Sequence, residues 1–168
     1  MKKLAIRIVL VLAVVIPVYF FIRGYLRTER ERVQRVIDAV TSSLERENVW
    51  LSLHGIFEHV SDSYRHNEGR REVGKQEALV AVRGYKQRYV QFRVELKDID
   101  ITVIADTAKA ELTGRITAAK KDDPEKRIEL ITRDGWNRAV IYFEKEDGEW
   151  LITGSERLRG KWGDAVPD

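Results

Sequence analysis

The sequence predicts an α+β domain: three N-terminal helices packed on one face of a curved, mostly antiparallel, cone-shaped sheet, preceded by one transmembrane helix. Three observations predict it. Residues 4–22 form an apolar run with a single charge. From residue 29 to residue 89 apolar side chains recur three and four positions apart, the spacing of a helix face. After Tyr89 the period changes to two, the spacing of a half-buried strand. A chain of 168 residues has room for one such domain behind an anchor.

The leading run reads LAIRIVLVLAVVIPVYFFI. At 1.5 Å per residue it spans about 28 Å, close to the hydrocarbon thickness of a bilayer. Arg7 lies near its start and can snorkel to the headgroups, as can Lys2 and Lys3. Tyr19, Arg23 and Tyr25 belong at the far interface, where aromatic and basic side chains sit well. The run ends without the small residues of a cleavage site, so it reads as an uncleaved signal-anchor. Lys2 and Lys3 resemble the positive region of a secretory signal and put the N-terminus in the cytoplasm. Arg23, Arg27, Arg30, Arg32 and Arg35 follow the run and pull the other way on a Lys/Arg count. The orientation adopted is a single-pass protein of the bacterial inner membrane with a periplasmic domain. The chain then divides into a cytoplasmic tail (1–3), the anchor (4–22), a juxtamembrane linker (23–28), the domain (29–158) and a loose tail (159–168).

Charge follows this division. Residues 1–35 hold eight basic and two acidic side chains, whereas the rest of the chain holds 22 basic and 25 acidic ones. The domain is therefore slightly acidic, and nucleic acid is not an expected partner. The absence of cysteine excludes a disulfide scaffold, a thiolate metal site and a cysteine nucleophile.

Thr28 and Glu31 have capping-box spacing, which predicts a helix over 29–46. Val33, Val36, Ile37, Val40 and Leu44 form its apolar stripe, and Glu47-Asn48 ends it. Val49, Leu53, Ile56, Phe57 and Val60 mark a second helix. Ala78, Leu79, Val82, Tyr85 and Tyr89 mark a third over 75–89. The polar stretch 61–74 between them reads as a loop or short edge strand. Val90, Phe92, Val94 and Leu96 then alternate with polar residues, and the phase slips by one before Ile99, Ile101 and Val103. Such a slip predicts a bulge that bends the strand. A strand over 108–118, a polar turn at 120–124 and an extended stretch over 128–143, interrupted at Asp134-Gly135, come next. Asp147-Gly148 is a hairpin turn, and the last strand covers 149–158.

This pattern resembles the nuclear-transport-factor-two-like superfamily, which includes ketosteroid isomerases and SnoaL-type polyketide cyclases. The resemblance covers roughly 29–158. It rests on the long first helix, the short second one and the entry Gly74-Lys75-Gln76-Glu77-Ala78-Leu79 to the third. Thr107-Ala108-Lys109-Ala110, and Asp147-Gly148 just before Trp150, are similar too. It implies a cone with an apolar interior and leaves the reaction open, because enzymes, carriers and scaffolds share the fold. One span followed by such a domain is also similar to the inner-membrane core component of type IV secretion systems. Three residues precede the span here, where that family has a longer tail.

The resemblance implies that acid–base groups enter the cone from its rims, which singles out Asp62 as a base and Tyr64 as a proton donor. Their neighbours Arg65, Asn67, Glu68, Arg70 and Arg71 describe a wet, charged loop instead, and catalysis is not the adopted reading. Trp50, Phe57, Tyr85, Tyr89, Trp136 and Trp150 are candidates to line a pocket, with core packing as the plainer role. His54 and His59 are five apart and do not share a helix face, so no metal is expected. Neither a Gly-rich phosphate loop nor a Gly-x-Ser-x-Gly elbow is present, and no cofactor is expected. The expected function is a membrane-anchored, non-catalytic module that binds a protein partner, a second copy of itself or a small apolar ligand. An anchored isomerase or cyclase, and a subunit of a secretion assembly, are the alternatives.

Overall fold

The computed structural model describes residues 2–68, 71–130 and 136–158, with side chains from Ile16 onward except those of Val18, Glu68 and Arg71. In chain order the elements are α1 (Lys2–Glu45), α2 (Val49–Phe57), β1 (Val60–Glu68), β2 (Arg71–Gly74), α3 (Lys75–Arg88), β3 (Tyr89–Ile104), β4 (Thr107–Lys120), β5 (Asp123–Glu129), β6 (Asn137–Glu146) and β7 (Glu149–Leu158). The strands form one sheet ordered β2-β1-β7-β6-β4-β3, and β5 pairs with the end of β4 that β6 leaves free. Every pairing is antiparallel except that of β1 with β7. Helices gathered on a mostly antiparallel sheet make an α+β fold, as the sequence predicts.

The first helix differs from expectation. The spacing at Thr28 predicted a start there and a linker over 23–28, yet α1 runs unbroken through both. Thr28 caps nothing: its hydroxyl donates back to the Gly24 carbonyl at 3.0 Å, one turn earlier. The side chains around it favour a helix, with Arg27 paired to Glu31 and Arg32 to Glu29. Most of the expected anchor, 4–22, with Arg7, and the preceding Lys2 and Lys3 lie outside the residues whose side chains are described. Among the described residues no helix is long and apolar enough to cross a membrane.

Beyond Thr28 the apolar stripe packs as its period demands. Val33, Val36 and Ile37 are buried against Ile101, Ala108, Ala110, Phe143, Trp150 and Ile152, which all belong to the concave face of the sheet. Asn48 then starts α2, its side chain accepting from the Leu51 amide at 3.1 Å. Leu53 and Ile56 bury the inner face of α2, while Val60 begins β1 rather than ending the helix.

Of the two alternatives for 61–74, a loop or a short edge strand, the structure shows strands, and the polar turn expected at 120–124 narrows to Lys121-Asp122. Residues 61–74 are mostly a hairpin, β1 and β2, at one edge of the sheet. Their side chains are mostly polar, including buried Ser61 and half-buried Tyr64 and His66, so they carry no alternating apolar signal. Pro124 lies inside β5, where an edge strand tolerates its missing N–H. The predicted bulge in β3 is there: pairing with β4 shifts between Lys97 and Asp100, and Asp98 takes a φ of 52°. A second shift at Gln91, φ 54°, has no counterpart in the apolar pattern. Asp147 and Gly148 both have positive φ, 50° and 87°, the conformation of a type I′ hairpin turn. The expected interruption at Asp134-Gly135 and the tail 159–168 lie outside the described residues.

Candidate functional site

Where β1 and β7 run side by side, His66 stands opposite Ser155 and Arg65 opposite Gly154. Gly154 permits the close approach, since a Cβ there would stand 3.1 Å from the Arg65 carbonyl oxygen. This register joins three half-buried polar side chains. Tyr64 Oη lies 2.7 Å from Ser155 Oγ, and His66 Nδ1 lies 2.8 Å from the same Oγ. His66 Nδ1 is also 3.1 Å from the Ser155 carbonyl oxygen, which can only accept. A proton on Nδ1 satisfies both contacts. Burial pushes the Tyr64 hydroxyl above the ordinary phenol range, with the Ser155 hydrogen bond opposing, so Tyr64 keeps its proton at neutral pH. Tyr64 packs against the apolar core. The trio is therefore a hydrogen-bonding cluster at the border of that core, with Tyr64 as a hydroxyl donor and the second ring nitrogen of His66 beside it.

Asp62 takes no part in it. A register shift in β1 between Val60 and Arg65 breaks the simple alternation, and residues two apart come to lie in different surroundings. The Asp62 side chain is 99% exposed and ion-paired with Lys75 Nζ at 2.8 Å. That hydrogen bond holds its carboxyl below the usual carboxylate range. A base needs the opposite, a carboxylate raised by burial.

The six aromatic candidates do not converge either. Trp50 is 80% exposed on the first turn of α2, and Phe57 is half-buried at its end. Tyr85 stacks on Tyr89 with ring centroids 6.2 Å apart. Trp136 lies under Lys97, whose Nζ is 4.0 Å from the ring centroid. Trp150 is buried in the core, and its Nε1 donates to Glu29 Oε2 at 2.7 Å.

This last contact belongs to a cluster that the apolar pattern does not reveal. Glu29, 3% exposed, also meets Lys145 Nζ at 3.1 Å and Arg32 Nη1 at 3.3 Å. Burial alone would raise its carboxyl, but the hydrogen bonds from Trp150 and Lys145 and the nearby cations hold it below the usual range. The cluster ties α1 to the β6–β7 hairpin. Beside it a groove of about 620 Å³ is lined by Arg32, Arg35, Asp38, His59, Glu149 and Trp150, among others. His54 instead pairs with Glu58 on the exposed side of α2. Among the described residues no group of three His, Cys, Asp or Glu side chains could hold a metal ion.

A family model described as the SnoaL-like domain matches residues 33–155. No curated protein matches the chain. Among solved structures, a conserved protein from Planctomyces limnophilus superposes with a TM-score of 0.64 at 15% identity, covering 79% of this chain and 99% of that one. A nuclear-transport-factor-two-like protein with a cystatin-like fold from Novosphingobium aromaticivorans gives 0.64 at 14% identity, covering 84% and 89%. A proposed dehydratase of the same family from Streptomyces avermitilis gives 0.62 at 14% identity, covering 80% and 99%. At such identities the likeness is one of fold.

Proposed function

We propose that this chain, which belongs to the SnoaL-like domain family, is a membrane-tethered binding module that holds a small, mainly apolar ligand on its concave face. The observation that carries this reading is the Tyr64–Ser155–His66 cluster: three hydrogen-bonding groups, with Tyr64 packed against the apolar core and, among the described residues, no carboxylate bonded to them. Such an edge suits a ligand with an apolar body and one oxygen-bearing end. The tether is supported by Ile16, Tyr19, Phe20, Phe21 and Ile22, each at least 49% exposed on the same unbroken helix that docks on the sheet. Apolar surface of that kind calls for a cover, and a bilayer supplies one. The chain then sits in the bacterial inner membrane with its domain in the periplasm, an orientation supported by Lys2 and Lys3 ahead of the apolar run.

The test is native mass spectrometry of the full chain purified from membranes in mild detergent. The expected result is a bound small molecule at about one per chain, with affinity reduced roughly thirtyfold in the Tyr64→Phe, Ser155→Ala double variant, as two hydrogen bonds of about 1 kcal/mol each are impaired. A chain that carries nothing, or a double variant that retains the ligand fully, overturns the reading. One observation favours an enzyme instead: Tyr64 as donor and the second ring nitrogen of His66 form an acid–base pair, and one structural neighbour is a proposed dehydratase. On that reading the recovered molecule is chemically changed during incubation, and His66→Ala stops the change.

A further inference from the structure

The outer face of α3 is apolar and uncovered, and its residues are arranged to meet themselves. At 100° per residue Glu77, Val80, Ala81, Gly84, Tyr85 and Arg88 fall within about 140° of the helix circumference. The opposite face, with Ala78, Leu79, Val82 and the buried Lys86, is the one turned to the domain. On the outer face Val80 is 70% exposed, Tyr85 is 48% exposed, and a Cβ at Gly84 would meet nothing within 4 Å.

From this arrangement we infer that a second copy of this chain docks here, α3 against α3, antiparallel about a two-fold axis passing between Val82 and Arg83. A two-fold contact requires that each residue find its complement at the mirrored position. In this register Glu77 of one copy faces Arg88 of the other, so two opposite-charge pairs close the ends. Val80 faces Tyr85, an exposed aliphatic against an exposed ring. Ala81 faces Gly84 at the centre, where small side chains let the helix axes approach to about 8 Å. Glu77, Ala81, Gly84 and Arg88 are spaced four, three and four apart, the seam of a helix pair. The charge complementarity selects a second copy over an unrelated partner, because one helix supplies both signs at matched distances from the axis. A contact of one helix on another is smaller than the roughly 1,200 Å² of a stable interface, so the dimer is weak and concentration-dependent. It does not depend on what occupies the concave face.

The chain has no cysteine, which makes crosslinking of the full chain in detergent direct. Glu77→Cys and Arg88→Cys chains are treated with a short bismaleimide, singly and mixed. Like positions lie about 16 Å apart along the axis, so neither variant alone joins, while the mixture gives a dimer band. Sedimentation supplies the second arm. Glu77→Arg and Arg88→Glu, each on the exposed surface, weaken dimerisation at least fivefold, and the two reversals in one chain restore it. Three results overturn the inference. The chain is monomeric at every concentration, the mixture joins no better than the single variants, or the single reversals leave the dimer unchanged. An Arg83→Cys control, about 130° from the seam, must stay unjoined, and its crosslinking would count equally against the proposed face.

Discussion

Lys86 is the residue whose chemistry is furthest from what its type suggests. It is 3% exposed, and its ammonium donates to the Leu44 carbonyl and, at 2.7 Å, to the Arg46 carbonyl. It also stands 4.3 Å from the Phe92 ring centroid. The side chain thus covers the unpaired carbonyls at the end of α1, where a cation also suits the helix dipole. Burial pushes its pKa down to about 8, with Glu45 opposing. Between about 8 and the ordinary value of 10.5 the unfolded chain therefore holds a proton that the folded chain has lost. Unfolding takes up that proton, so stability rises as pH climbs through this window and levels off above it, by at most about 3 kcal/mol. Lys86→Met removes the rise, as urea titrations from pH 7 to 10.5 would register. Its effect at pH 7 is small, because losing two carbonyl contacts offsets relief from burying a charge. A variant that keeps the full wild-type rise would show that Lys86 is not its source.

At the scale of elements, the joint between α1 and α2 is set by Gly55. A Cβ there would clash with Ser43 Oγ and stand 3.0 Å from Ser43 Cβ, both inside a closed contact. Gly55→Ala gains up to about 1 kcal/mol of helix propensity and loses more to overpacking, for a net cost of about 1–2 kcal/mol in chemical denaturation. Ser43→Ala in the same chain recovers part of the loss; no recovery would mean that the contact is not the cause. Elements of this kind differ in how well the sequence announces them. The helices, the Lys97–Asp100 bulge and the Asp147-Gly148 turn are legible because burial or φ sign dictates residue type locally. The β1–β2 hairpin and β5 are not: β2 and β5 are edge strands with few buried side chains, and the positions that β1 turns inward hold polar residues, Ser61, Tyr64 and His66, in place of an apolar alternation. The site is less legible still. Tyr64 and His66 meet Ser155 some ninety positions along the chain, and Glu29 meets Trp150 across 121, distances over which no local period carries information.

For the whole molecule, the decisive feature is that one helix belongs to both halves. The sequence divides into an apolar lead and a domain, but α1 runs from Lys2 to Glu45 as one helix, with Pro17 inside it. The Glu29 cluster with Trp150, Lys145 and Arg32 fastens it to the sheet where it enters the domain. A domain mounted in this way continues directly from the helix, so whatever holds residues 4–22 also bears on the height and direction of the concave face. Glu29 keeps its charge at neutral pH, so the mount persists under ordinary conditions. The proposed tether is tested most directly by alkaline carbonate extraction of membranes from cells that make the full chain. The account predicts that the intact chain stays with the membrane pellet, while a chain shortened by residues 1–22 is released. Recovery of the intact chain in the supernatant would contradict it.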